Sequence, residues 1–323
     1  MAEWLVEQGI AEERAILLAD DEVRAAAWRW DDGLQAGLVA DAVLVHRTKG
    51  ARRGTARFAD GAEALVDRLP ADAAEGATIR LEVTRPAMGE RGRTKLARAR
   101  PSDLAVRPAP TLARQLGGRI VHRFPAGLWD ELLAEAFAGE VGFAGGSLVL
   151  YATPAMVLVD VDGTLPALAL AQGAVAPLAA TLHRLDLGGP VGIDFPSLDA
   201  KADRRMVDEA LGVALADWPH ERTAANGFGF VQIVSRLVRP SLLHRAQLQP
   251  AQSAARWLLR RAEVAGEGGM AGGVVQLACH PAVAAQLQPD WLAELARRSG
   301  RRVEVAPDPR LAIGAPHAQI ITR

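Results

Sequence analysis

Between residues 146 and 235 the chain alternates short apolar runs with longer helical ones, and this alternation restricts the fold more than any other feature. SLVLYAT and AMVLVDVDG have strand length, as do PVGIDF (190–195) and GFVQIVS (229–235). Between them lie the uncharged run GTLPALALAQGAVAPLAATL (163–182) and a charged helical stretch near 200–217. Strand, helix, strand, helix, strand predicts an α/β layer with crossover connections, whose strand ends gather on one edge. The uncharged run matches a bilayer span in length, since roughly 20 apolar residues cross one. Pro166, Gln172, Pro177 and the abundance of Ala and Gly predict a buried or interfacial helix instead.

On either side the pattern changes. Over the first 30 residues, EWLVE and AILLA flank a polar turn and VRAAAWRW continues the extended pattern, which predicts a β-hairpin. From about 37 to 100, short strands alternate with Gly-containing turns: LVADAVLVHR, GTARFADG, EALVDRL and TIRLEVTRPAM. Such close spacing predicts a small barrel, closed off by the Pro-rich PSDLAVRPAPT (101–111). A helix is expected over 127–138. Another is expected over 251–265, followed by VVQLACH, the helices PAVAAQL and WLAELARRSG, and the strands RRVEVA and AQIIT.

With 323 residues, 50% of them hydrophobic and 23% charged, the chain can build a sizeable core in two or three domains. Lys and Arg total 37 against 38 Asp and Glu, which excludes a uniformly basic coat but leaves local patches open. A single cysteine, Cys279, excludes a disulfide framework and a CxxC-type zinc site, and is read as a buried strand residue. The start, MAEWLVEQGIAEER, carries charges where a signal peptide would be apolar, so a cytoplasmic location with no membrane is expected.

Chemistry concentrates in VLVDVDGT (157–164). Asp160 and Asp162, two apart on one strand, point to the same face. Carboxylates held side by side repel unless a cation compensates, so they suit Mg²⁺; the same DVDG is also simply a good turn. Asp194 ends the next strand, and a crossover could bring it beside Asp160 around one ion. QIVSR (232–236) is expected to deliver Ser235 and Arg236 to the same edge, where Arg236 would suit a phosphodiester. A surface arginine at a strand end is the plain alternative. In the barrel region, RTKGARRGTARF holds five basic residues (Arg47, Lys49, Arg52, Arg53, Arg57) and no acidic one, with Phe58 among them. The stretch 85–100 holds six, including Arg91, Arg93 and Lys95, opposed only by Glu90. Two basic segments on one barrel fit a single-stranded nucleic-acid groove, or a solvated face.

In order, these pieces resemble the ribonuclease E/G family. LLAEAFAGEVGFAGGSLVLYATPAMVLVDVDG resembles its approach to the catalytic Asp, HRLDLGGPVGIDF its LRDLGG…IDF segment, and QIVSR its QISR segment. The region 133–240 matches best; GTARFADG and MGERG resemble the S1 part, and ACHPAVAAQL…LARRSGRRVEVAPDP the C-terminal part. The resemblance implies an α+β multidomain fold. An S1-type OB barrel at 37–103 is inserted into an RNase H-like subdomain (1–36 with 104–155), before a DNase I-like catalytic subdomain (156–245) and a small C-terminal α/β domain (246–323).

It also implies an endoribonuclease that hydrolyses single-stranded RNA to 5′-phosphate and 3′-hydroxyl ends. Mg²⁺, or alternatively Mn²⁺, would sit on Asp160 and Asp194. Asp162 replaces a usual Asn and adds a third carboxylate to the metal and catalytic set, with Arg236 offsetting charge on the phosphate. Phe58 matches an RNA-stacking aromatic, Leu65 stands where a second is usual, and Arg91 replaces a Lys. The family's CPxCxG zinc link cannot form with Cys279 alone, so a homo-oligomer, if formed, is not tethered by zinc. The segment before helix 127–138 is too short for a 5′-end sensor domain, so cleavage without 5′-end sensing is expected. Two rival readings stay open: an RNA-binding relative with a decayed site, and a haloacid-dehalogenase-type phosphatase using Asp160 as nucleophile and Asp162 as acid/base. The second lacks the Ser or Thr that family needs at the end of the next strand, where Asp194 stands.

Overall fold

The computed structural model describes residues 1–90, 92–267 and 273–322. Strands β1 (Glu3–Gly9), β2 (Glu12–Ala19) and β3 (Glu22–Trp30) form an antiparallel meander. Asp20 and Asp21, joining β2 to β3, both have positive φ (52° and 60°), as a two-residue turn that follows the strand twist requires.

The chain then enters a closed five-stranded barrel of β4 (Val39–Arg47), β5 (Arg53–Arg57), β6 (Glu63–Asp67), β7 (Thr78–Arg85) and a last strand beyond a hairpin. The hairpin is β8 (Met88–Glu90) and β9 (Arg93–Lys95), and β10 (Ala97–Pro101) closes the barrel between β6 and β7. Period-two alternation puts Ala42, Leu44, Ala56, Val66, Leu81 and Val83 inside, giving the barrel a core of its own.

After the barrel come α1 (Leu112–Leu116), capped by Thr111, then β11 (Arg119–Val121), which pairs parallel to β1. Next are α2 (Leu128–Ala138), β12 (Glu140–Phe143), β13 (Gly146–Ala152), β14 (Val157–Gly163), α3 (Ala167–Arg184), β15 (Gly189–Asp194), α4 (Lys201–Ala214), β16 (His220–Arg222) and β17 (Phe230–Ser235). Their six strands form one sheet in the order β12-β13-β14-β15-β17-β16. The expected boundary at 155/156 falls inside this sheet: β13 and β14 pair from Gly146↔Gly163 to Ala152↔Val157. One core joins both sides of that boundary, from Leu5, Ile16 and Trp28 through Trp129 and Leu148 to Val159, Ile193 and Ile233.

The uncharged run forms α3, which buries Leu170, Ala171, Ala174, Val175, Leu178 and Leu182 on one stripe while Gln172 faces water. Among the described residues no helix is long and apolar enough to cross a membrane. The chain ends in α5 (Leu242–Leu248), α6 (Pro250–Glu267), β18 (Val274–Cys279), α7 (Pro281–Ala284), α8 (Pro289–Ser299), β19 (Arg302–Pro307) and β20 (His317–Ile321). These last strands form a three-stranded sheet over a separate core that includes the fully buried Cys279. The whole is an α+β fold containing a closed barrel.

One expectation fails in the central sheet. Only β14 and β15 are parallel neighbours; β17 runs antiparallel to β15. The crossover through α4 does deliver a strand in the direction of β15, but that strand is β16, one position further out. The chain then turns back, and β17 fills the gap.

Candidate active site on the open sheet face

The six-stranded sheet buries only one face. Along β14, Val157, Val159 and Val161 point into the core while Leu158, Asp160 and Asp162 point out. On β15, Val191 and Ile193 point in, and Asp194 points out. Outward-facing Tyr151 and Val234 remain 58% and 45% exposed, so among the described residues no helix covers this side.

Asp160 and Asp194 are direct partners in the parallel β14–β15 register. Neighbouring strands lie about 4.8 Å apart, so the two carboxylates rise side by side. Among the described residues neither side chain has a hydrogen-bond or ion-pair partner. Two exposed carboxylates so placed repel each other by about 1 kcal/mol, and a bound cation would turn that repulsion into attraction. Val149 flanks Asp160 on the other side, and Glu140 stands beyond Val149, so the row across the sheet reads Glu140, Val149, Asp160, Asp194, Phe230. Sequence reasoning missed Glu140, which opens a short strand without a motif.

Asp162 lies one row along from the pair, a strand distance of roughly 6.6 Å, beside Ser147. Its Oδ1 accepts a hydrogen bond from the Gly163 N–H at 2.8 Å. Among the described residues, no group of three or more His, Cys, Asp and Glu side chains is gathered as a metal cage.

Arg236 is not at this edge. Because β17 is antiparallel, Ser235 pairs with Gly189 at the start of β15, and Phe230 rather than Ser235 stands opposite Asp194. Arg236 therefore lies six residues along from the position opposite Asp194, roughly 20 Å. There it lines a cleft of about 300 Å³ with Arg100, Glu82, Gln115 and Arg239, between the barrel and the α/β body. The expected meeting of Arg236 with the carboxylates does not occur.

The loops at the Asp194 end are tightly held. Arg204, at the start of α4, donates to the carbonyls of Leu198 and Asp199 at 2.6 and 2.8 Å, stapling the turn that follows Asp194. The Phe195 N–H donates to the Gly229 carbonyl at 3.3 Å. A Cβ at Gly229 would lie 2.2 Å from the Phe195 carbonyl oxygen, and φ there is +86°, so only glycine fits this crossing. Asn226 Oδ1 accepts from the N–H groups of Phe228 and Phe230, leaving the Phe228 ring 81% exposed beside the site.

In the barrel the expected nucleic-acid residues are mostly occupied. Phe58 is only 5% exposed and belongs to the barrel core, so its ring is not available for stacking, whereas Leu65 is exposed. Arg53 pairs with Asp67 and Arg57 with Glu63, each at 2.8 Å. Arg93 and Lys95 both pair with Glu90, and Lys95 also donates to the Pro154 carbonyl at 2.8 Å. Arg47 donates to the carbonyls of Ala71 and Ala73, and Arg52 to that of Leu69. Lys49 is exposed and, among the described residues, unpaired; Arg91 lies outside the described residues. The basic run thus acquires carboxylate partners from neighbouring strands. The exposed Arg53–Asp67 and Arg57–Glu63 pairs are worth about 0–1 kcal/mol, so phosphates can exchange for them, whereas the Glu90 carboxylate is buried under its partners.

Compared with protein-family models and with curated proteins, the chain matches none.

Proposed function

We propose that this chain is a divalent-metal-dependent endoribonuclease of the ribonuclease E/G type, cutting single-stranded RNA to leave 5′-phosphate and 3′-hydroxyl ends. The observation that carries the reading is the in-register pair Asp160 and Asp194, outward on an uncovered sheet face and without protein partners. Two bare carboxylate groups with hard oxygen donors fit Mg²⁺ or Mn²⁺, which keep several water ligands and need only one or two protein carboxylates. A bound ion supplies charge neutralisation at the phosphate and a more acidic water. Asp160 and Asp194 hold and orient it. Asp162, anchored by the Gly163 N–H, is set one row away to accept a proton or hold a water. In this reading the closed barrel is the S1-type OB module, and the central body combines the RNase H-like and DNase I-like parts.

Arg236 is too distant to offset charge on a phosphate held at the pair. That observation favours a second reading, an RNA-binding relative without cleavage. One assay separates the two. Internally cut products from 5′-labelled single-stranded RNA should require Mg²⁺ and appear at equal rates on 5′-monophosphate and 5′-triphosphate ends. Asp160→Ala and Asp194→Ala should each lower the rate by more than about a hundredfold, since loss of an outer-sphere partner alone costs 10–100-fold at metal sites. RNA that is bound but stays intact across sequences and metals would leave the binding module as the function.

A further inference from the structure

The outward face beside the carboxylates contains an apolar seat that serves none of the hydrophobic cores. Gly192 faces outward on β15, two residues before Asp194, yet it is buried. A Cβ at this position would lie 2.6 Å from Phe230 Cζ, 3.0 Å from Met156 Sδ and 3.1 Å from Leu158 Cδ2. Phe230, standing opposite Asp194, therefore leans its ring back along the sheet over Gly192. Leu158 borders it from β14, in register with Gly192, and is 38% exposed. Neither Phe230, Leu158 nor Met156 belongs to the buried cores or packs against them.

The position of the seat decides what it suits. Asp160 and Asp194 stand one row along the sheet, about 6.6 Å of strand away. On the opposite side, Met156 and Pro190 line a small cavity with Met88, Glu90 and Lys95 of the β8–β9 hairpin. A polymer running from the carboxylates toward the β8–β9 hairpin crosses this seat. An aromatic ring flanked by aliphatic and thioether groups, next to a site for a phosphate and its ion, is the surface on which a base stacks irrespective of sequence.

We propose that Phe230, with Leu158 and Met156 over Gly192, seats the nucleobase adjoining the phosphate held at Asp160 and Asp194. The inference rests on the nucleic-acid reading of that pair. It makes Phe230 a positioning residue that sets which phosphate reaches the carboxylates. A side chain at 192 would displace the ring, because its Cβ would meet the mobile ends of Phe230, Met156 and Leu158.

The test scans a single abasic residue through a short oligoribonucleotide and measures its binding to the full chain in Ca²⁺, then its cleavage in Mg²⁺. In wild type, one abasic position should weaken binding about tenfold or more, within the range measured for base–aromatic stacks. In Phe230→Ala that penalty should vanish, in Phe230→Trp it should persist, and Gly192→Ala should reduce it with the aromatic ring still present. Melting curves establish that each variant is folded. An abasic penalty unchanged in folded Phe230→Ala, or no position-dependent penalty in wild type, would overturn the seat. Cleavage without positional penalty would leave the nuclease and remove the seat. Positional binding without any cleavage would keep the seat and remove the nuclease.

Discussion

His244 sits where the β8–β9 hairpin meets the body. It lies on α5, beside the cavity lined by Glu90, Lys95 and Met156, with Ser241 Oγ 2.7 Å from its Nδ1. Burial, with Lys95 and Arg245 nearby, lowers its pKa from 6.5 to about 4, against a smaller opposing effect of Glu90. The folded-state value is depressed, so the unfolded chain binds the proton first. The resulting stability is complete above about pH 6.5 and is lost as pH falls towards 4. The shift corresponds to on the order of 3 kcal/mol. Urea midpoints should therefore drop across this window in wild type and drop less in His244→Gln; parallel curves would contradict this. At the same scale, Phe58 illustrates what the sequence did carry. It shares the inward parity of Gly54 and Ala56 on β5, so strict period-two counting places it inside the barrel.

At the scale of elements, the carboxylate pair was legible and the third partner was not. Asp160 and Asp194 end apolar runs joined by one helix, and a single crossover sets their parallel register. Strand direction beyond that point depends on where α4 returns, which no local pattern specifies. The local signal is the Asn- and Gly-containing stretch 226–229, where the Gly229 N–H donates to the Asn226 carbonyl at 3.1 Å and Gly229 has φ +86°. It marks a turn back after β16 and so reverses β17, carrying Arg236 to the far edge and bringing Phe228 and Phe230 to the near one. The three-residue β16 is too short for periodicity to reveal. Likewise, the basic runs of the barrel were visible, but Asp67, Glu63 and Glu90 that pair with them come from adjacent strands or across a turn.

For the whole molecule, the barrel is a self-contained insertion. The chain enters and leaves it at one place: a Cβ on Gly37 would lie 2.8 Å from Pro110 Cδ. Its core is separate from that of the body, and its contacts with the body run through the β8–β9 hairpin and the cleft containing Arg236. Joining Ala36 to Pro110 through a short Gly-Ser linker should leave a body that unfolds cooperatively. Under the proposed function, that body should bind single-stranded RNA more weakly and with a smaller salt dependence, because the phosphate contacts proposed for the barrel would be gone. An excised chain that aggregates, or one that binds with unchanged affinity and salt slope, would contradict this division of labour. The molecule joins a carboxylate-bearing sheet face to a closed barrel, which under the proposed function would guide the strand across the apolar seat.

The pair of carboxylates is the premise of the account, and metal binding tests it without reference to cleavage. Titration with Mn²⁺, followed by the electron paramagnetic resonance signal of the free ion, should show one ion per wild-type chain displaced by Mg²⁺. Asp160→Asn and Asp194→Asn should each abolish that site, and Asp162→Asn should weaken it less. A wild-type chain that takes up no ion, or Asp160 and Asp194 variants that bind as tightly as wild type, would contradict the assignment.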